Sequence, residues 1–171
     1  MSPTTAILAA VLVPLIGAVF IVLNGRSANV RDAVTLITAI VTFGIVATLF
    51  DDVASGMRPS VTVLKMLPGL GITFTLEPLG ILFAGIASGL WILTSVYAVG
   101  YMRGHHEINQ TRFYTCFAIA ISSAIGIAFA GNMLTLFVFY EVLTLSTFPL
   151  VTHSGTNEAK RAGRVYLGIL I

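Results

Sequence analysis

A single carboxylate stands in the middle of a long apolar stretch of this chain. The run Met133–Val151 reads Met-Leu-Thr-Leu-Phe-Val-Phe-Tyr-Glu-Val-Leu-Thr-Leu-Ser-Thr-Phe-Pro-Leu-Val, and Glu141 is its only charged residue. As a helix, Met133–Leu150 spans roughly 27 Å, close to the hydrocarbon core of a bilayer, with Glu141 next to its midpoint. A carboxylate at that depth costs at least about 2.5 kcal/mol by insertion scales. The chemistry such a group points to is an ion or proton pathway with a buried basic partner. The alternative is a protonated acid hydrogen-bonded to a neighbouring helix, serving packing alone. Thr144 and Thr147 follow at i+3 and i+6 and drift around the same side. Their hydroxyls can hold water or relay a proton, or bond back to their own helix. Pro149 has no N–H to donate, so the carbonyl of Leu145 is freed one turn below Glu141. His153 lies just past this run, on the side from which a cytoplasmic proton would reach Glu141.

Other residues with chemical potential read as structural. His105 and His106 are adjacent in the segment Arg103–Arg112, where they could titrate near neutral pH. No third ligand is near in sequence, so a solvated loop is expected. Cys116 is the sole cysteine, which leaves neither a disulfide framework nor a Cys/His metal cluster. No histidine pair suits haem and no cysteine set suits an iron–sulfur cluster, so no cofactor is expected. Thr115, Cys116, Ser122, Ser123, Gly126 and Ala130 read as a packing face. Asp32, Asp51, Asp52, Glu77, Glu107 and Glu158 fall in loops or at helix ends and read as solvated charge.

The elements that must position Glu141 follow from composition and hydropathy. The chain is 57% hydrophobic and 9% charged, against about 25% charged in soluble domains. Mean hydropathy is +0.98. These values describe a multi-spanning helical membrane protein. No basic tract or basic–aromatic interleaving suggests nucleic acid. Apolar runs predict helices over about 4–23, 30–50, 78–102, 113–130, 133–151 and 157–171. The portion of the last run from Val165 to Ile171 is too short to cross a bilayer, so the sixth helix reads as truncated, or completed elsewhere. The N-terminus lacks the basic n-region of a signal peptide. Between the second and third helices, Val61 and Val63 alternate with Thr62, and Ile72, Phe74 and Leu76 alternate with Thr73 and Thr75. With Pro68-Gly69 between them, this is a hairpin pattern. Arg26, Arg31, Arg103, Arg112, Lys160, Arg161 and Arg164 fall on one side of the membrane, and Arg58 and Lys65 on the other. That split puts the N-terminus and the hairpin outside. The expected fold class is therefore an all-α integral membrane protein: one transmembrane domain over 1–171, five full spans, a truncated sixth, and an external β-hairpin.

The stretch from Phe137 through Glu141 to Val151 resembles the fifth helix of the proton-translocating antiporter-like subunits. These occur in respiratory complex I, membrane-bound hydrogenases and the multisubunit Mrp sodium/proton antiporters. The resemblance extends through Gly131-Asn132-Met133-Leu134-Thr135-Leu136, Arg112-Phe113-Tyr114 and Ser95-Val96-Tyr97-Ala98-Val99-Gly100-Tyr101-Met102, and its flavour is nearest the D-type Mrp component. It implies the N-terminal part of a larger subunit, in which Glu141 carries the buried charge of proton translocation and Thr144, Thr147 and His153 support its path. In such subunits the matching glutamate pairs with a lysine on a seventh helix. The chain stops before such a helix, and its membrane-proximal Lys160 begins the sixth. At the start of the third helix, Glu77-Pro78-Leu79-Gly80 stands where the family often has Asp-Gly. The resemblance further implies other membrane subunits as partners, H+ and Na+ as ions, lipid contact, and the inner cell membrane as location. The alternatives are a proton-pumping subunit of an NADH-quinone oxidoreductase or membrane-bound hydrogenase, and a non-transporting scaffold or assembly fragment. In the transporting readings the chain is a transporter subunit rather than a catalyst by itself, whether or not it belongs to an NADH-quinone oxidoreductase.

Overall fold

The computed structural model describes residues 1–67, 70–105 and 107–170; Pro68-Gly69, His106 and Ile171 lie outside the described residues. Six helices and one hairpin follow in the order α1 (Pro3–Leu23), α2 (Ala28–Ala54), β1 (Ser60–Leu67), β2 (Leu70–Thr75), α3 (Pro78–Gly104), α4 (Gln110–Ala128), α5 (Met133–Val151) and α6 (Asn157–Leu170). The first five of these helices are long and apolar enough to cross a membrane. Their ends obey local rules. Ser2 caps α1, accepting from the Thr5 amide, and Pro3 and Pro78 open α1 and α3. Asn132 caps α5 through its Oδ1, which accepts from the Thr135 amide at 2.8 Å.

Consecutive helices run up and down. α1 packs on α2 and α4, α2 on α3, and α3 on α4, so four helices close a ring; α5 leans on α4, and α6 on α5. The ring has two cores. One joins Ile7, Val46, Leu49, Ile81, Ile125 and Phe129 at the hairpin end. The other joins Ile21, Ala39, Trp91, Ala98, Tyr114 and Ala118 at the opposite end. Around the ring, large apolar side chains such as Ile16, Phe20, Ile37, Phe83, Leu93 and Phe137 are exposed. An apolar girdle of this extent suits contact with lipid.

β1 and β2 pair antiparallel, with Val61 opposite Phe74 and Thr62 opposite Thr73. The hairpin is stitched to the α4–α5 turn. The Thr75 amide donates to the Phe129 carbonyl and the Gly131 amide to the Thr73 carbonyl, both at 2.8 Å. Glycines permit close helix approaches, among them Gly126, where a Cβ would overlap the Phe139 ring, and Gly80, where one would overlap the Ala128 carbonyl.

Candidate functional site

Glu141 sits midway along α5 and is half-buried. Among the described residues its carboxylate has neither a hydrogen bond nor an ion pair. α5 is the most peripheral of the five long helices: only Thr135, Thr144 and Ser146 are buried on it. The two threonines expected beside Glu141 both satisfy their own helix. Thr144 Oγ1 donates to the Tyr140 carbonyl at 3.0 Å. Thr147 Oγ1 lies 3.0 Å from the Leu143 carbonyl and shares a 2.6 Å hydrogen bond with the Tyr166 hydroxyl, which ties α5 to α6. Their hydroxyl oxygens retain acceptor capacity. Pro149 lies inside the last turn of α5.

His153 follows the end of α5 and its side chain is 15% exposed. Its Nε2 lies 3.9 Å from a Glu107 carboxylate oxygen. The ring meets Phe113 edge-on, with centroids 5.6 Å apart. Both ring nitrogens are buried without a hydrogen-bond partner. The ring borders a cleft of about 370 Å3 that is also lined by Arg112, Phe148, Thr152, Lys160 and Arg164. Three basic side chains thus surround a half-buried imidazole where α4 and α6 begin and α5 ends. The other adjacent-histidine candidate does not enter a site: His105 stacks on Tyr101 at 4.4 Å and is exposed, and His106 is outside the described residues.

The sequence reading of Asp32 as a solvated charge is corrected. Asp32 is 6% exposed, and Arg31 beside it 5%. Arg31 Nε donates to Asp32 Oδ1 at 2.9 Å, while Arg103 Nε and Nη2 donate to Oδ2 at 2.9 and 2.6 Å. Arg31 Nη2 also donates to Gln110 Oε1 at 2.7 Å, and Gln110 Nε2 donates to the Met102 and Glu107 carbonyls. The physical reason is helix length. α2 begins at Ala28 and α4 at Gln110, earlier than hydropathy alone suggests, so polar residues lie inside the bundle's end. A carboxylate accepting from two guanidinium groups tolerates burial that a lone one would not. One signal was present in the sequence: Asp32 is an acid beside Arg31 on the membrane side dominated by arginines.

No family model matches the chain. It is 32% identical over 127 residues to the A/B component of a probable K(+)/H(+) antiporter from Rhizobium meliloti (strain 1021), covering 73% of this chain and 12% of that protein. It is 29% identical over 126 residues to the A1 component of an Na(+)/H(+) antiporter from Staphylococcus aureus (strain JH9), covering 72% and 15%. The chain therefore spans less than a sixth of the length of these curated relatives. Among solved structures, a chain of the membrane-bound sulfane sulfur reductase, an archaeal respiratory membrane complex, superposes with a TM-score of 0.80 at 21% identity, over 94% of this chain and 33% of that one. A chain of the Mrp complex from Dietzia sp. DQ12-45-1b gives 0.71 at 21% identity, over 96% and 18%. Those likenesses establish the shared fold. With its five apolar spans, this chain is a multi-pass membrane protein whose sequence relatives are antiporter subunits.

Proposed function

We propose that this chain forms part of a cation/proton antiporter-like membrane subunit, with Glu141 as the ionisable group of its proton path. The observation that carries the reading is Glu141 itself: an acid midway along an apolar helix, half-buried and without a partner among the described residues. It is held free for a partner outside them, and a lysine on another helix or chain fits that role. Protons reach Glu141 from the His153 cleft, past the hydroxyls of Thr147 and Thr144, with the N-terminus on the outer face of the inner membrane. Other membrane subunits complete the complex, and H+ with Na+ or another monovalent cation is moved. The named relatives are A1 and A/B components, whereas the motif around Glu141 has the flavour of the D-type component. Those relatives favour the A-like reading, and the proteins that co-purify with the chain decide between the two.

The fold shared with a respiratory membrane complex supports a second reading, the proton-pumping part of a redox-driven machine. The test is Glu141→Gln in the assembled complex. Cation-dependent proton flux collapses while insertion and assembly persist. Full flux at normal expression would leave only a scaffold role.

A further inference from the structure

The cleft beside His153 carries more positive charge than a proton entry needs. Arg112 in the first turn of α4, and Lys160 and Arg164 one turn apart on α6, all line it. Among the described residues none of the three makes an ion pair, and no acid lines the cleft. Glu107 lies instead against His153 Nε2, at 3.9 Å. Glu158 lines a second cleft together with Arg161 and Val165. At about 100° per residue, those side chains point from the opposite flank of α6 to Lys160 and Arg164. The start of α4 adds to the positive charge. Its N-cap Asn109, also in the lining, has φ 58° and makes no side-chain cap bond. The positive end of that helix therefore opens here.

Converging cations without acids complement a phosphate. Depth selects which phosphate. Val151 ends α5 ten residues past Glu141, about 15 Å along the axis, or half of a hydrocarbon core about 30 Å thick. With Glu141 near the midplane, the cleft lies at the level of lipid headgroups. Seven of the nine basic residues are at this end of the bundle, the charge that an anionic leaflet attracts. Phe148 and the exposed Ile108 share the lining and suit a ligand with an apolar part. We propose that this cleft binds one anionic phospholipid, its phosphate held by Arg112, Lys160 and Arg164 and its glycerol end against Phe148 and Ile108. A zwitterionic lipid brings its own ammonium into the same cations and binds less tightly. The site does not require Glu141 to carry protons, so the two proposals stand or fall separately.

The test titrates the full chain in detergent with dioleoylphosphatidylglycerol, dioleoylphosphatidylcholine or inorganic phosphate, and counts bound molecules by native mass spectrometry. One phosphatidylglycerol per chain is expected to survive, bound more tightly than phosphatidylcholine and not displaced by millimolar phosphate. Lys160→Gln and Arg164→Gln each weaken it about fivefold, the attraction of one basic residue to an anionic surface. Arg161→Gln, the same charge change on the opposite flank of α6, leaves it unchanged. All three side chains are exposed, so the variants keep the fold, which thermal unfolding checks. If a variant unfolds, the three ligands on the unmodified chain still decide. Equal binding of the two lipids overturns the proposal. So does displacement by inorganic phosphate, which marks a free-anion site. A loss on Arg161→Gln as large as on Arg164→Gln overturns it too, because it marks a diffuse basic surface.

Discussion

Asp32 and Glu141 are both carboxylates on helices long enough to span a membrane, and the protein treats them oppositely. Asp32 is almost fully buried and accepts from two arginines. Glu141 is half-buried, and no described residue bonds to it. A paired buried carboxylate is a structural clamp, because removing one partner strands the others. An unpaired one forms no such clamp, and its charge is a cost and not a gain. The difference separates a group that ties α2, α3 and α4 together from one that no described residue ties to a neighbouring helix.

The contrast is broken most directly at Asp32. Asp32→Asn leaves the buried Arg31 guanidinium, and the more exposed one of Arg103, facing a neutral amide, and the expected cost is about 3 kcal/mol. It is read as lost thermal stability of the purified chain in nanodiscs. A loss no greater than that of Glu141→Gln would erase the distinction. Arg103→Gln sharpens it, because this arginine side chain is 44% exposed and Arg31 stays on the carboxylate. About 1–2 kcal/mol is expected, and combining it with Asp32→Asn should cost less than the sum of the two. Asn132→Ala tests what holds Glu141's own helix. Losing the cap costs about 1 kcal/mol, with faster hydrogen exchange confined to the first turn of α5. Smallest in loss is Glu141→Gln, which removes a charge without removing a partner and should leave the chain no less stable than the parent. A large destabilisation there would show that Glu141 belongs to a structural network after all.

Much of the architecture was legible because lipid demands it. Spans must be apolar and helical, so hydropathy located the five long helices. Period-two alternation of Val61, Val63, Thr73 and Thr75 marked the hairpin. The Asp32 clamp was not legible, because its Arg103 partner lies 71 residues away and its depth depends on where α2 begins. Thr144 and Thr147 were ambiguous in sequence; only the folded helix shows both hydroxyls directed at their own backbone. The half-burial of Glu141 was also hidden. Position along an apolar helix gives depth, but not which way round the helix a side chain faces.

The stitching of the hairpin to α5 has a mechanical consequence. Thr135 Oγ1 accepts from the Thr73 amide at 2.9 Å and Asn132 Nδ2 donates to the Gly71 carbonyl at 2.7 Å, so the first turn of α5 is a fulcrum. Toward the far end, just before Pro149, the helix rests on the shorter α6 through the Thr147–Tyr166 pair. Glu141 sits about 9 Å along this arm and Val151 about 24 Å. Were α5 to tilt about that first turn, the carboxylate would travel less than half as far as the tip.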